Sequence, residues 1–489
     1  MLLLMPQVVK KIRCATVKMR TAAIRYCLLT DPPINHSMKR VIAGAAEKDI
    51  TPVTPQFLYG YPYVERWSEG VHDRLMSSAL YLKGAEALRG SPVAADEILF
   101  IANDIIYLDK ALVAEARRRI TDATGIPGST IMITATHTHS APIPGEYACT
   151  GHDPVIPVAD PQYRELLVRQ IAAAGTEAVR SAQPASLGFG VTRAEGIGTN
   201  RRDPAGPRDP EVPLIVVRDR RQRPLACMLV CSMHPTVLHE DSRLISGDFP
   251  AFARHYLRDQ LFGAEIPVIY HTGTAGDQSP RYVTRSNTFD EAQRLGHLLG
   301  EAVARSTDAM EFSDNWVVAV TGDTLDLPRR TFPDVQQARK RRDAAKARLA
   351  MLRESAASPQ QVRTAETDWF GAEETLTFSE LAQRGRLERF YTSCLPAEVQ
   401  VVRTGPVVFA ALPGELFVEY GLELRRRRPG TFAITLANGD VQGYIVTREA
   451  ADNGGYEASN AIFHWSGGPL LVEQTVALVD ALPAESAVQ

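Results

Sequence analysis

The sequence predicts a mixed α/β layered domain, in which helices pack on central mixed sheets. Short apolar runs typical of buried strands alternate with amphipathic helical patterns along most of the chain from about Arg40. The composition, 45% hydrophobic and 23% charged, is that of an ordinary globular protein. A chain of 489 residues is long enough for a large core, as one large domain or as two to three smaller ones.

Apolar runs bounded by polar or turn residues predict the strands, and apolar stripes with helical spacing predict the helices. In the helix expected at 110–125, Leu112, Val113, Ala116 and Ile120 share one stripe, so this face should be buried. Strands are expected at 97–104, 130–137, 213–219, 224–235, 267–273, 316–322, 399–403 and 406–411. Helices are expected at 110–125, 163–182, 250–262 and 291–306.

The segment 334–385 differs from the rest of the chain. It begins DVQQARKRRDAAKARLAMLRESAAS and is rich in Ala, Arg, Gln and Glu, with sparse apolar positions. This pattern is typical of exposed helices that form a hairpin or an arm. We predict a helical insertion at 334–385 within a single domain at 38–489. The insertion is either solvated or placed as a lid over a site.

Charge and composition exclude several partners. The net charge of −3 and the pI near 6.4 predict no surface for nucleic acid. No apolar run approaches the ~20 residues that a transmembrane segment requires. None of the six cysteines stands in a CxxC pair, and Cys227 and Cys231 lie in an apolar stretch where buried free thiols are expected. These features favour a reducing compartment.

Residues 1–37 do not fit the pattern of the remaining chain. Lys and Arg are scattered through them instead of preceding an uninterrupted apolar stretch, so they fail the pattern of a secretory signal. We predict a disordered tail or an over-long start, with the fold beginning at Met38. Together with the cysteine usage, this indicates a cytoplasmic protein. Whether it forms a homo-oligomer stays open.

Two histidines in THTHS stand where the strand predicted at 130–137 ends. Side chains at i and i+2 of a strand point to the same face, so His137 and His139 are expected to project together beyond the strand end. Two imidazoles there suit metal binding or acid–base chemistry. Polar residues that merely terminate a strand are the simpler interpretation of this motif alone.

A second apolar strand ends in a histidine, His234 of CSMHP. If the two strands are neighbours in one sheet, His137 and His234 come together. His239, further along a polar loop, is expected at the surface. Ser279 lies in the tight turn GTAGDQSP, which either presents its hydroxyl to a substrate or is only a turn. It does not match the GxSxG elbow of α/β-hydrolases.

The stretch LPGE stands between a predicted strand and a predicted helix, which places Glu415 at or near a helix N-terminus. N-capping explains such a carboxylate without any further role. A carboxylate metal ligand is the alternative.

Taken together and in this order, these stretches resemble the neutral (non-lysosomal) ceramidases, zinc-dependent amidases that cleave the N-acyl bond of ceramide. The resemblance covers most of 40–465 and implies the layered catalytic-domain fold of that family. It rests on AEKDITP (46–52), GVHDRL (70–75), THTHSAP, TNRR (199–202), MHPT, SGD (246–248), GDQSP, LPGE and GYIVTREAADNGGYE (443–457).

The resemblance implies a Zn²⁺ site whose ligands, matched residue by residue, are His137, His234, Glu415 and Tyr444. The family places a second tyrosine twelve residues after the ligand tyrosine, and Tyr456 stands at that spacing. Two imidazoles and a carboxylate agree with the general pattern of catalytic zinc. A phenolate ligand must lose a proton with a reference pKa near ~10, and a nearby dication favours that loss.

By the same analogy, His139, Arg201, Ser279 and Tyr456 line the reacting centre, where zinc-activated water attacks an amide carbonyl. Ser279 matches the essential serine of the family, as a nucleophile, a hydrogen-bonding group or a water-positioning group. The implied partner is a small-molecule amide substrate, with an N-acyl lipid as one candidate.

The chain also departs from the family pattern. It has HTHSAPIPG and GDQSPR where the family has HTHSGP followed by two glycines and GDVSPN. Arg281 therefore adds a positive charge beside the site. The C-terminal β-sandwich domain of the family is expected to be absent, since Gln489 stands 33 residues after Tyr456. The alternatives are a hydrolase of the same fold acting on a non-sphingolipid amide, lactam or ester, and a non-catalytic metal-binding relic.

Overall fold

The computed structural model describes residues 40–85 and 95–483, so the tail predicted at 1–37 lies outside the described residues. The largest sheet has the order β8-β7-β6-β5-β1-β2-β3-β4, and β9 pairs with β5. The pairs β3–β4 and β7–β8 are parallel, and the others are antiparallel. The strands are β1 (Ile42–Asp49), β2 (Met76–Lys83), β3 (Glu97–Asn103), β4 (Ile131–Ala135), β5 (Gln183–Arg193), β6 (Glu211–Asp219), β7 (Pro224–Cys231), β8 (Val268–Thr272) and β9 (Phe312–Ser313).

A second mixed sheet of four strands has the order β10-β11-β12-β13. Its strands are β10 (Val318–Leu325), β11 (Ala397–Thr404), β12 (Val407–Ala411) and β13 (Thr431–Ile434). The helices are α1 (Lys110–Thr124), α2 (Pro161–Arg180), α3 (Asp248–Leu257), α4 (Phe289–Thr307), α5 (Val335–Glu354), α6 (Pro359–Gln383), α7 (Glu388–Cys394), α8 (Val418–Arg427), α9 (Arg448–Asn453), α10 (Tyr456–Asn460) and α11 (Gly467–Ala481). The predicted mixed α/β class is confirmed.

Side chains that alternate between the two faces of each strand bury one face against the other sheet and the other face against helices. In β3, Ile98 and Phe100 belong to the core between the two sheets, whereas Leu99 and Ile101 pack with α1 and α2. Helices α3 and α4 cover the same outer side at the β6–β8 end. The outer face of the second sheet packs on α8 and α11. The order of layers is therefore helix, sheet, sheet, helix.

Helix α1 illustrates how well a strong local pattern specifies an element. Asp109 caps it by accepting a hydrogen bond from the Leu112 N–H (2.8 Å), and Gly125 ends it in the left-handed conformation (φ 81°). The stripe predicted to be buried is buried. Other boundaries differ: the helix expected at 250–262 ends as an α-helix at Leu257 and continues as a π-helical turn over Arg258–Phe262.

The two strands that precede the site histidines are not neighbours, so the predicted route to their meeting is wrong. Five strands separate β4 from β7 in the sheet order. Instead the sheet curls until its edge strands meet: Thr134 Oγ1 lies 2.8 Å from His271 Nδ1, and Thr272 Oγ1 donates to Thr136 O (2.8 Å). Because β8 is the partner of β7, this closure brings the ends of β4 and β7 together.

Helices α5 and α6 form a hairpin within the segment predicted as a helical insertion. Ion pairs of Arg342 with Glu373 (3.1 Å) and of Arg348 with Asp368 (3.4 Å) join the two helices in antiparallel order. Helix α6 also packs against α10. The boundaries of a single domain at 38–489 remain a prediction. Among the described residues, no helix combines the length and apolar character needed to cross a membrane.

Candidate metal centre

His137 lies just beyond β4 in a left-handed backbone conformation (φ 69°) that few non-glycine residues adopt. Strand β4 ends at Ala135, so this turn, and not the alternation of a strand, directs the side chain. Its backbone N–H donates to Ile105 O (2.9 Å), and its Nδ1 lies 3.0 Å from Ile106 O. A carbonyl can only accept, so Nδ1 carries the proton and Nε2 offers a lone pair in the neutral ring.

His234 is held in the same way from the other side of the site. Its Nδ1 lies 2.5 Å from Ala275 O and 3.1 Å from Gln278 O, so this nitrogen also carries the proton. Burial lowers the pKa of His234 to about 4, which keeps its ring neutral at physiological pH. The Nε2 lone pairs of His137 and His234 are therefore both available to a ligand.

The carboxylate of Glu415 lies between the two imidazoles. Its Oε2 is 3.2 Å from His137 Nε2 and 3.0 Å from His234 Nε2, while its Oε1 accepts a hydrogen bond from the Tyr107 hydroxyl (2.7 Å). Glu415 does not cap a helix, because α8 begins at Val418 with Phe417 in the cap position. We call His137, His234 and Glu415 the His–Glu cluster.

The His–Glu cluster fits a bound cation. Two lone pairs that face one carboxylate oxygen repel each other in a buried site unless a positive charge lies among them. Imidazole nitrogen and carboxylate oxygen are a typical ligand set for zinc, and the Nδ1 contacts to backbone carbonyls are the support that metal-bound histidines usually receive.

Tyr444 is placed beside Glu415 by backbone pairing. The two-residue strands Glu415–Leu416 and Tyr444–Ile445 are parallel, with Glu415 directly opposite Tyr444. Burial raises the pKa of the Tyr444 phenol well above its usual value, and the Arg201 guanidinium only partly offsets this effect. A phenolate at this position therefore needs a further positive charge.

His139 differs from the other two histidines in its support. Its Nε2 lies 3.4 Å from His137 Nε2, and the ligand atoms of all three histidines lie within 4.8 Å of one another. Its Nδ1, however, is buried without a hydrogen-bond partner among the described residues. The ring lies against Gly60, where a Cβ would come within 2.5 Å of Nδ1. Three histidines can thus meet a metal, but only two are fixed for it.

Ser279 lies in the segment that follows β8 along the chain. The serine is 4% exposed, and its Oγ accepts a hydrogen bond from the Arg281 N–H (3.2 Å). No described residue accepts the Ser279 hydroxyl proton, which leaves it free for a substrate. A Cβ at Gly276 would lie 2.6 Å from Glu415 O, so this turn can touch the LPGE segment only with glycine at that position.

Arg201 joins this turn to the tyrosines. Its Nε donates to Glu457 Oε1 (2.7 Å) and its Nη2 to Gly276 O (2.9 Å). The guanidinium carbon lies 5.3 Å and 6.0 Å from the ring centroids of Tyr444 and Tyr456. The structure therefore brings all eight predicted site residues into one region, in which Arg201 forms an ion pair with Glu457.

Two cavities lie beside His139 and Tyr444, next to the His–Glu cluster. The first is lined by Glu374 and Asp440, among others, and we call it the acidic cavity. The second is lined by Ser279, Arg281 and Arg363, among others, and we call it the basic cavity. They share the lining residues Gly60, Pro62, His139, Tyr444 and Tyr456.

Helix α6 contributes to both cavities, through Glu374 and Phe378 in the acidic one and through Arg363 and Phe370 in the basic one. Sequence reasoning missed these residues. The sequence does contain a pattern that could have indicated them. Phe370, Glu374 and Phe378 recur at helical spacing, which places a carboxylate within an apolar stripe.

Two further residues were missed or misplaced by the sequence reasoning. Tyr107, the hydrogen-bond donor to Glu415, follows β3, the neighbour of β4, so strand-end reasoning could have found it. His239, expected at the surface, is partly buried and lines the basic cavity.

Comparisons with known proteins agree with this geometry. Residues 42–287 match the model of the family described as neutral/alkaline non-lysosomal ceramidase, N-terminal. The chain is similar in structure to a crystal structure of the neutral ceramidase from Pseudomonas aeruginosa. The TM-score is 0.69 at 17% identity, and the match covers 92% of this chain and 77% of that one. It is also similar to a ceramidase complexed with C2, with a TM-score of 0.67 at 16% identity over 91% of this chain and 76% of that one. No curated protein matches the sequence.

The chain therefore belongs to the neutral/alkaline non-lysosomal ceramidase family, as its motifs predict. Family and fold together support an amide-bond hydrolase.

Proposed function

We propose that this protein is a zinc-dependent amidohydrolase that cleaves an N-acyl amide bond, with His137, His234, Glu415 and Tyr444 as the metal ligands. One observation carries the proposal: Nε2 of His137 and Nε2 of His234 lie within 3.2 Å of Glu415 Oε2, while backbone carbonyls hold both Nδ1–H groups. When bound, Zn²⁺ supplies Lewis-acid chemistry to a carbonyl and acidifies water.

The residues around the cluster have separable tasks in this proposal. Tyr107 fixes one oxygen of Glu415, so that only Oε2 faces the imidazoles. Arg201 supplies positive charge beside the phenol of Tyr444 and favours its ionised form. Tyr456 lies at the boundary between the two cavities, where its hydroxyl can hydrogen-bond a carbonyl oxygen as negative charge develops.

His139 is proposed as the group that moves protons, not as a ligand. No backbone group of the described residues hydrogen-bonds to its ring, and burial lowers its pKa well below the usual value, so the resting ring is neutral. A leaving amine requires a proton in amide hydrolysis, and His139 borders both cavities from which such an amine can depart.

Ser279 is proposed as a hydrogen-bond donor to the substrate. A serine nucleophile needs a base within hydrogen-bond reach, whereas the described group that hydrogen-bonds to the Ser279 hydroxyl is the N–H of Arg281, which is a donor. Its free O–H instead lines the basic cavity beside His139.

The experiment that tests the proposal combines metal analysis with a substrate panel. Protein purified without chelator should contain about one zinc per chain, as a single catalytic site requires. Its metal-free form, prepared with a chelator, should lose hydrolysis of N-acyl amides and regain it when zinc is added. Esters and lactams complete the panel, because the same centre can act on them.

Matched histidine variants make the test specific. His234→Ala should lose zinc and activity, whereas His464→Ala, at an exposed histidine that pairs with Ser466, should keep both. A protein that binds zinc fully yet hydrolyses no member of the panel would be a metal-binding relic. Absence of zinc from the purified protein would contradict the proposed metal dependence.

A further inference from the structure

The acidic cavity is lined by two carboxyl groups that form no ion pair with any basic residue in the described part of the chain. Glu374 and Asp440 are 3% and 4% exposed. Their hydrogen-bond partners among the described residues are neutral: Asn460 Nδ2 donates to Glu374 Oε2 (2.6 Å), and the Gln442 N–H donates to Asp440 Oδ2 (2.9 Å). Burial raises the pKa of Glu374 to about 8, as expected for a carboxyl group without a cation beside it.

Besides His139 Nδ1, two polar atoms that line this cavity have no hydrogen-bond partner within 40–85 and 95–483. They are Asp440 Oδ1 and the hydroxyl of Tyr147, whose side chains are 4% and 2% exposed. A buried polar atom left unpaired costs about 1–3 kcal/mol. A ligand that donates hydrogen bonds at this wall would satisfy both.

The basic cavity has the opposite character. Its Arg363 is paired with Glu240 (2.9 Å) and Glu366 (2.5 Å). Arg281 forms no ion pair with any described residue, although burial lowers its pKa and thus disfavours its charge. Arg281 and Ser279 line the same cavity. A cation without an ion pair among the described residues therefore lies near the serine that we propose as a hydrogen-bond donor to the substrate. Such a position suits a carboxylate.

We propose that the substrate is a short dipolar amide, with a carboxylate on one side of the scissile bond held by Arg281 and an amine or other hydrogen-bond donor on the opposite side held by Glu374 and Asp440. This inference rests on the proposed function and names its substrate class. The scissile amide then lies where the two cavities meet, at His139, Tyr444 and Tyr456. A hydrocarbon chain in the acidic cavity would leave Asp440 Oδ1 and the Tyr147 hydroxyl without a partner, and one in the basic cavity would leave Arg281 desolvated without an ion pair.

The test uses aminoacyl-glycines of the form H₂N–(CH₂)n–CO–NH–CH₂–COOH, with n from one to five, on the zinc-loaded protein. Two analogues of each remove one end: the N-acetyl form lacks the free amine, and the C-terminal amide lacks the carboxylate. A long-chain N-acyl sphingosine in detergent is the lipid comparison. Hydrolysis is followed by kcat and KM, and binding is measured by calorimetry on zinc-free protein.

Two variants are assayed with each of these substrates and analogues. Arg281→Gln should raise KM by about 10- to 100-fold for the carboxylate compound and leave its C-terminal amide unchanged, as expected for loss of one charge-assisted contact. Glu374→Gln, which keeps an acceptor for Asn460, should do the same for the free amine and not for the N-acetyl form. The matched controls Arg285→Gln and Glu373→Gln change neighbouring charges outside both cavities and should leave all values unchanged.

The outcomes separate this inference from the proposed function. Hydrolysis of the dipolar amide with both substrate-specific KM effects supports the inference. Hydrolysis of the N-acyl sphingosine alone, insensitive to both variants, overturns the inference and keeps the amidohydrolase. If no amide is hydrolysed, calorimetry decides: binding of the dipolar amide that weakens in Arg281→Gln keeps the inference while the proposed function fails, and absence of binding overturns both.

Discussion

The His–Glu cluster and the walls of the two cavities beside it are built differently. In the cluster, each ligand is held by a second bond: His137 and His234 through Nδ1 to backbone carbonyls, and Glu415 through Tyr107. In the cavity walls, Asp440 Oδ1 has no hydrogen-bond partner and Arg281 has no ion pair among the described residues. Ligands held by a second hydrogen bond suit a chemical step that is the same for every substrate. Groups that lack a partner within the protein suit the recognition of one particular substrate. We therefore assign the reaction to the cluster and the specificity to the walls.

Loss of Glu415 should produce the largest effect. Glu415→Gln removes the charge that both imidazoles share, so zinc should dissociate and kcat/KM should fall by about 1,000-fold or more, the equivalent of several kcal/mol of Lewis-acid stabilisation. Metal content and turnover measured on one preparation check this. Full zinc occupancy in Glu415→Gln would remove Glu415 from the ligand set.

Ser279→Ala tests a group that touches the substrate and not the metal. Zinc content should be unchanged, and kcat should fall by about 100-fold, as when one hydrogen-bond donor to a developing negative charge is lost. Undiminished turnover with zinc still bound would exclude Ser279 from the mechanism. This pair of variants therefore separates metal binding from substrate activation.

Gly276→Ala tests whether the cluster depends on the close approach of two loops. The new Cβ would lie 2.6 Å from Glu415 O and 2.9 Å from Leu416 O. Thermal unfolding should show destabilisation of about 1–3 kcal/mol, typical of overpacking in a well-packed core, and zinc affinity should fall with it. Gly128→Ala is the matched control, because its Cβ would make ordinary contacts at 3.8 Å and 3.9 Å. Equal stability of the two variants would contradict the account.

Asp248 should give a pH dependence of stability without touching the metal. Burial raises the pKa of Asp248 to about 7, whereas the unfolded value is about 3.9. Between these values the folded state binds the extra proton, so this group contributes stability that is lost as pH rises from about 4 to 7 and then stays constant.

Asp248→Asn should remove that contribution. Asn tolerates the left-handed backbone at this position (φ 57°) and still offers an acceptor to the Val237 and Leu238 N–H groups. Chemical unfolding of both proteins between pH 4 and 8 measures the difference in slope. Parallel curves would show that Asp248 does not hold the proton.

The sequence predicts those parts of the fold whose information is local. Helix α1 and strand β3 follow from their own apolar patterns, and the structure places them within one residue of the expected bounds. The meeting of His137 with His234 could not be read from local patterns, since it depends on the curling of a whole sheet. Motif order supplied that pairing instead, through the family resemblance.

The cavity walls could not be predicted for a related reason. Glu374 is one of many glutamates in a charged helical segment, and only the packing of α6 against α10 turns it towards the site. Arg281 departs visibly from the family motif in the sequence. Whether it forms an ion pair, however, depends on residues distant in sequence. The residues that we propose to determine substrate specificity therefore lie where local sequence patterns predict least.

The most direct test of the central claim is the zinc K-edge absorption fine structure of the purified protein, compared with that of His139→Ala. The account predicts two imidazole nitrogens and oxygen donors from Glu415 and Tyr444 around the metal, at about 2.0–2.2 Å. It also predicts the same spectrum for both proteins, since His139 is not a ligand. Three imidazoles in the parent protein, reduced to two in His139→Ala, would contradict it.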